Sequence, residues 1–181
     1  MEHKGTKRIE TERLILRRLT TEDAEGMFNN WASDAEVTKY LTWPTHKSVE
    51  VTKSLLEKWV DDYQTNDYYQ WCIELKEIGQ PIGSISAVGI DESVGDIEIG
   101  YCIGRKFWNK GITTEAFKAV IDFFFNEVGA NRISGVHDVN NPSSGRVMEK
   151  CGLKYEGRRI KAARNQQGIC DVDIYGLVKE K

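Results

Sequence analysis

The chain has 181 residues, of which 40% are hydrophobic and 29% charged, with a formal net charge of −3. That length suits one domain with a sizeable core, since single domains typically run to roughly 100–200 residues. The acid excess excludes the strongly basic surface that non-specific nucleic-acid binding requires, so no direct nucleic-acid partner is expected.

In chain order, the start MEHKGTKRIE carries no apolar core, and no later apolar run reaches the roughly 18 residues of a membrane span. Neither signal peptide nor membrane anchor is expected, the protein is placed in the cytoplasm, and residues 1–8 read as a loose tail. RLILRRL (13–19) reads as a strand, and Thr20 or Thr21 followed by Glu22, Asp23 and Ala24 opens a helix. A further helix is predicted over Val49–Tyr63. The period then changes to two: YYQWCIEL (68–75), PIGSISAVGI (81–90) and VGDIEIGYCI (94–103) form a β-meander. From Thr114 to Val128, Phe117, Val120, Ile121, Phe124 and Val128 recur at helical spacing, with Gly129 as the residue that stops the helix. RISGVHDV (132–139) is a strand, Asn141 and Pro142 open a short helix that Gly152 closes, and strands at about 153–160 and 169–178 end the chain. A mixed α/β fold with a β-α-β-α-β segment follows, as one domain over residues 1–181. The cysteines Cys72, Cys102, Cys151 and Cys170 are widely spread, with no C-x-x-C pair and no nearby histidines, so no metal site is expected.

The junction RKFWNKGITTEA (105–116) sets three basic residues around Gly111 where a helix begins. Unsatisfied N–H groups and the positive end of the helix dipole gather there, which suits an anion such as a phosphate. A Walker loop would need glycine at 109 and a hydroxyl residue at 111, and no G-x-G-x-x-G is present, so neither phosphate loop fits. An ordinary capped helix also accounts for these twelve residues taken alone.

W108-N-K-G111-I-T113 followed by T114-E-A resembles the acetyl-CoA loop of the GNAT acetyltransferases, in the RimJ/RimL-like subgroup of ribosomal-protein N-terminal acetyltransferases. The subgroup's W-G-K-G-x-A-T-E-A is matched at Trp108, Lys110, Gly111, Thr114, Glu115 and Ala116, whereas Thr113 stands where glycine or alanine is usual. E12-R-L-I-L-R17, D34-A-E-V-T-K-Y40-L, D96-I-E-I-G-Y-C-I and N141-P-S-S-G-R-V-M-E-K-C-G152-L extend the resemblance over nearly the whole chain. It implies a GNAT fold: a mixed, mostly antiparallel seven-stranded sheet flanked by about four helices. It also implies acetyl-CoA as substrate, no metal, and an amine acceptor. The carrier would be held by Cys102, Ile103, Arg105, Trp108, Asn109, Lys110, Gly111, Ile112, Thr113 and Thr114, and by Asn141, Ser144, Arg146 and Lys150 on the next helix.

In many members of the family a tyrosine in the last block protonates the departing thiolate; Met148 stands there in this sequence. The resemblance nominates Ser144 instead, with Tyr155 as a lesser candidate and a purely structural serine as the bland alternative. Glu98 shares a strand face with Asp96, Gly100 and Cys102, and the family likeness makes it the base; a solvated carboxylate is the alternative. A backbone N–H near Cys102 would stabilise the oxyanion. Direct transfer in a ternary complex is implied, and no cysteine is proposed as nucleophile. The acceptor implied is the α-amine of a protein N-terminus, which titrates near 7.7–8.0 and is roughly a tenth neutral at pH 7, against about 10.4 for lysine. Small-molecule amines, and a non-catalytic acyl-CoA sensor, are the alternatives. Trp31, Tyr40, Trp43 and Trp59 supply either acceptor-pocket surface or core. Oligomeric state is open, a homodimer included.

Overall fold

The computed structural model describes residues 1–180. Eight strands, β1 (Ile9–Glu10), β2 (Leu14–Arg17), β3 (Gln70–Leu75), β4 (Gln80–Asp91), β5 (Asp96–Ile103), β6 (Arg132–Asp138), β7 (Lys154–Asn165) and β8 (Gly168–Val178), form one sheet in the order β1-β2-β3-β4-β5-β6-β8-β7. The resemblance implied seven. The eighth is β1, which pairs Ile9 with Leu16 and Glu10 with Ile15 and, at two residues, is too short to show an alternating pattern.

Among the described residues there are five α-helices rather than about four: α1 (Ala24–Met27), α2 (Ala35–Thr38), α3 (Val49–Asp62), α4 (Ile112–Phe123) and α5 (Pro142–Lys150). A 3-10 turn (Thr21–Asp23) leads into α1 and a π turn (Phe28–Ala32) follows it. α4 starts two residues earlier than its apolar spacing indicates, because Gly111 in the left-handed region (φ 72°) already turns the chain into the helix. It ends through a π turn (Phe124–Val128) on Gly129, φ 78°. No helix among the described residues is long and apolar enough to cross a membrane.

The sheet has a helix layer on each face. α4 and the π turn that ends it lay Phe117, Val120 and Phe124 against Leu14, Trp71, Ile73, Ile97 and Ile99 to make the main core. Cys72, pointing the opposite way from its strand neighbours Trp71 and Ile73, joins Leu19, Met27, Trp31 and Leu56 in a second cluster under α1 and α3. The expectation of a loose N-terminal tail is corrected: Glu2 donates to the Val128 carbonyl, Thr6 Oγ1 to the Tyr68 carbonyl, and the Trp71 indole to the Lys7 carbonyl at 2.6 Å. Thr6 is 3% exposed, so these first residues lie across the sheet.

Every strand pairing is antiparallel except β5 with β6. That parallel ladder lasts only through Asp96↔Arg132, Ile97↔Ile133 and Glu98↔Ser134. Beyond it β5 stays paired with β4 as far as Gly83↔Ile103, and β6 with β8 as far as Asp138↔Val172, so a wedge opens between them.

α5 covers β6 beside that wedge. Its Met148, 1% exposed, packs on Gly135, and His137 of β6 lies beneath Gly145. A Cβ at Gly145 would come within 2.6 Å of His137 Nε2, an atom that finds no hydrogen-bond partner among the described residues. Glycine inside this helix therefore makes room for an imidazole. Gly145→Ala, which would stabilise an unobstructed helix by about 1 kcal/mol, is expected here to lower the unfolding free energy by about 1–3 kcal/mol through overpacking. Urea denaturation of the two proteins checks the sign.

Candidate active site

The wedge leaves one edge of β5 without a strand partner from Gly100 onward. The Gly104 amide donates to the Ile82 carbonyl at 2.8 Å, opposite β4. Because alternate residues turn their backbone groups to alternate edges, Cys102 also faces β4, whereas Tyr101 and Ile103 face the wedge. The expectation of an oxyanion donor near Cys102 therefore falls on its neighbours Tyr101 and Ile103 and not on the Cys102 amide itself. Its thiol lies 3.5 Å from the Ser84 hydroxyl, and burial pushes its pKa up. The Ile103 carbonyl accepts the Trp108 indole N–H at 2.9 Å, which ties the strand end to the following loop.

That loop runs through a 3-10 turn (Arg105–Phe107), then Trp108 in extended conformation, into α4. Asn109 has φ 58° and Gly111 φ 72°. The glycine usual at position 109 in the resembling loop is thus replaced by the residue type that best tolerates a left-handed backbone. Glu115 N–H is the first to find an acceptor inside the helix, the Gly111 carbonyl at 3.0 Å. The amides of Asn109, Lys110, Gly111, Ile112, Thr113 and Thr114 donate to no group among the described residues. Six successive free N–H groups at the positive end of a helix dipole make an anion seat.

The cations nominated around this seat are partly engaged. Arg105 binds Asp34, with Nη2 to Oδ2 at 2.8 Å, and Arg146 turns back on Ser143 Oγ at 2.9 Å. Lys110 lies 5.8 Å over the Phe107 ring, and Lys150 is exposed in the last turn of α5. Asn141 occupies the N-cap position of α5, yet its side chain makes no capping bond and is left for another partner.

Sequence reasoning missed the group that joins the wedge to α5. Tyr101 packs on Phe117 at 5.5 Å and reaches across to α5, where its phenol donates to the Ser144 carbonyl at 2.9 Å and accepts from the Ser144 hydroxyl at 3.1 Å. Burial raises the Tyr101 pKa, with the Ser144 bond opposing it. Tyr101 reads on its strand as one more apolar-face residue, so no sequence signal marked it. Met148, in the tyrosine position of the resembling block, is in the core under α5 and does not line the wedge. Tyr155 is 55% exposed on β7 against Tyr175.

Glu98 sits at the last rung of the parallel ladder, half-buried, on the sheet face opposite Tyr101. Burial raises its carboxyl above the ordinary 4.5, the Asp96 carboxylate adds to the rise, and Arg159 opposes it. The Tyr40 hydroxyl donates to the Asn140 carbonyl and Gln166 to the Thr42 carbonyl, so the α2–α3 loop reaches both the α5 approach and the tip of the β7–β8 hairpin. Trp31 is fully buried in the second cluster, which Trp43 and Trp59 flank, so core is its reading.

A family model described as "Acetyltransferase (GNAT) domain" matches residues 13–154, from the residue before β2 to the first residue of β7. The chain is a GNAT acetyltransferase. It is similar to the N-acetyltransferase YoaA of Bacillus subtilis, 32% identical over 96% of this chain and 97% of the relative. YdaF of the same organism, whose name places it provisionally among ribosomal N-acetyltransferases, is 36% identical over 57% of this chain and 56% of its own. A GNAT-family acetyltransferase structure from Bacillus anthracis superposes with a TM-score of 0.84 at 26% identity, covering 97% of this chain and all of that one.

The acetyltransferase therefore uses acetyl-CoA, and the RimJ/RimL-like resemblance of its motifs is in keeping with the YdaF match. Glu98 offers a check on its electrostatics. Its pKa is raised on folding, so the protonated form is the better accommodated one: its contribution to stability is present below about 4.5 and is lost as pH rises through the folded value. Glu98→Gln is accordingly expected to be more stable than wild type at neutral pH, with the difference closing as pH falls below about 4.5. Urea unfolding across that range measures it, and a constant difference would contradict burial as the cause.

Proposed function

We propose that this acetyltransferase acts on the N-terminal α-amine of a protein or peptide, with Glu98 as base and Ser144 as acid, in one ternary complex. The observation that carries the reading is the wedge itself. Glu98 stands on one sheet face at its apex, and Ser144 stands on the other side across Tyr101. An acceptor amine entering from the Glu98 face and a thioester entering from the α4–α5 face would meet at the unpaired edge of β5. There the amides of Tyr101 and Ile103 are available to a developing oxyanion, a role usually worth a few kcal/mol.

In the reaction the neutral amine attacks the thioester carbonyl, the C–N bond forms, and the C–S bond breaks. Glu98, directly or through water, takes the proton that the nitrogen sheds; the thiolate takes the Ser144 hydroxyl proton. A carboxyl raised by burial is a stronger base than a solvated one, and an α-amine, already about a tenth neutral at pH 7, asks little of it. As the Ser144 hydroxyl turns toward sulfur, the Tyr101 phenol is close enough, at 3.1 Å, to follow it with its own proton. The seat at the start of α4 would take the pyrophosphate, with Trp108, Asn109, Lys110, Gly111, Ile112, Thr113 and Thr114 around it. Asn141, Arg146 and Lys150 supply polar and cationic groups on the facing helix. The ribosomal assignment carried by the name of YdaF supports the choice of a protein N-terminus.

Acetylation of a panel of peptides and small amines, read by mass spectrometry, tests the acceptor. Free α-amines are expected to react about a hundredfold faster than lysines of N-blocked peptides, or more, in line with the fraction of neutral amine. Preferred turnover of lysine side chains or of a small amine would overturn that choice. Glu98→Gln is expected to lower kcat by about a hundredfold and to remove the base's limb from the pH–rate profile, leaving only titration of the acceptor. Ser144→Ala should lower kcat by about tenfold with little change in the KM for acetyl-CoA. A Glu98→Gln enzyme with wild-type kcat would remove Glu98 from the chemistry.

A further inference from the structure

Arg13, immediately before β2, and Glu115, in the first turn of α4, are 102 residues apart and form a dense hydrogen-bonded pair beneath the anion seat. Glu115 Oε1 accepts the Arg13 backbone N–H at 2.9 Å and the Thr11 hydroxyl at 2.6 Å; its Oε2 accepts Arg13 Nε at 2.6 Å. The same guanidinium donates through Nη1 to the Lys110 carbonyl at 2.9 Å. Its Nη2 lies 3.7 Å from where a Cβ on Gly111 would be, so the cation sits directly under the turn.

Two consequences follow from this geometry. The Lys110–Gly111 peptide is trans, like every other peptide bond among the described residues, so its C=O and N–H point in opposite directions. Holding the carbonyl down on Arg13 aims the Gly111 N–H away from Arg13, into the seat. A charged donor on that carbonyl also polarises the peptide and makes its N–H a stronger donor. The second consequence concerns Glu115. A carboxylate in the first helical turn is favourable for a bare helix, but it competes with any anionic ligand for the same positive helix end. Three hydrogen bonds and a guanidinium neutralise it where it stands.

We propose that Arg13 is a positioning residue for the phosphates of the acyl carrier: it orients the Gly111 amide toward them and cancels the field of Glu115. The proposal rests on acetyl-CoA occupying the start of α4, and it deepens that reading by adding a residue from the far end of the chain. Arg13 touches none of the reacting atoms, so its effect belongs to binding of the phosphates and not to the transfer step.

The test compares two donors, acetyl-CoA and S-acetylpantetheine, which presents the same thioester without the pyrophosphate. Arg13→Gln is expected to raise the KM for acetyl-CoA by about tenfold, the equivalent of one charge-assisted hydrogen bond, with kcat and all S-acetylpantetheine kinetics unchanged. Adding Glu115→Gln should recover part of that loss, because the uncancelled carboxylate is gone. Should Arg13→Gln fail to fold, Arg13→Lys keeps the cation. A single ammonium cannot span both Glu115 Oε2 and the Lys110 carbonyl as the planar fork does, so the KM for acetyl-CoA should still rise while the melting temperature holds. Equal losses with both donors, or an unchanged acetyl-CoA KM in both variants, would overturn the proposal. Wild-type protein that showed no saturation with acetyl-CoA would instead overturn the carrier reading beneath it.

Discussion

The three-rung parallel ladder between β5 and β6 is the constraint on which the site depends. A longer ladder would close the sheet and leave no room for two substrates; none at all would let the halves drift. With Glu98↔Ser134 as its last rung, the ladder fixes the apex, and the two half-sheets diverge while each keeps its antiparallel partner on the outer side. The Tyr101 and Ile103 amides at the inner edge of β5 are then without a strand partner, which a buried strand rarely tolerates unless a ligand or water takes them. In an acetyltransferase that unpaired edge is where a thioester carbonyl can be held.

α5 supports the arrangement from one side. His137 beneath Gly145, and Met148 on Gly135, set the helix close to β6, and closeness brings Ser144 within reach of Tyr101. The glycine is thus a packing requirement of the site, and Met148, in the position where many members of the family carry a tyrosine, lies in the core. The Tyr101–Ser144 pair joins a strand to a helix 43 residues later. It places a hydroxyl proton near the wedge without leaving a buried phenol unsatisfied.

The anion seat owes more to main chain than to side-chain charge. Arg105 is held by Asp34 and Arg146 by Ser143, whereas the amides from Asn109 to Thr114 have no competing acceptor among the described residues. Left-handed backbone at both Asn109 and Gly111 turns successive N–H groups to one side. Thr113, unusual for its position in the motif, lies half-buried in the first helical turn, where its N–H remains available.

Residue type alone marked the Pro142 start of α5 and the glycine at the head of α4, and local periodicity determined the β-meander of β3 to β5 and the amphipathic stripe of α4. The last two are readable because side-chain direction repeats at short, fixed intervals along each segment. Motif order further indicated the GNAT family. Only the tertiary structure decided that residues 1–8 are tied across the sheet, that β1 adds an eighth strand, and that β7 runs on to Asn165. It alone turned the backbone of Cys102 away from the wedge, brought Tyr101 to Ser144, and set Arg13 under Lys110. Each of these depends on which distant segment lies opposite. A hydrogen bond between residues 43 or 97 positions apart leaves no period in the sequence that makes it.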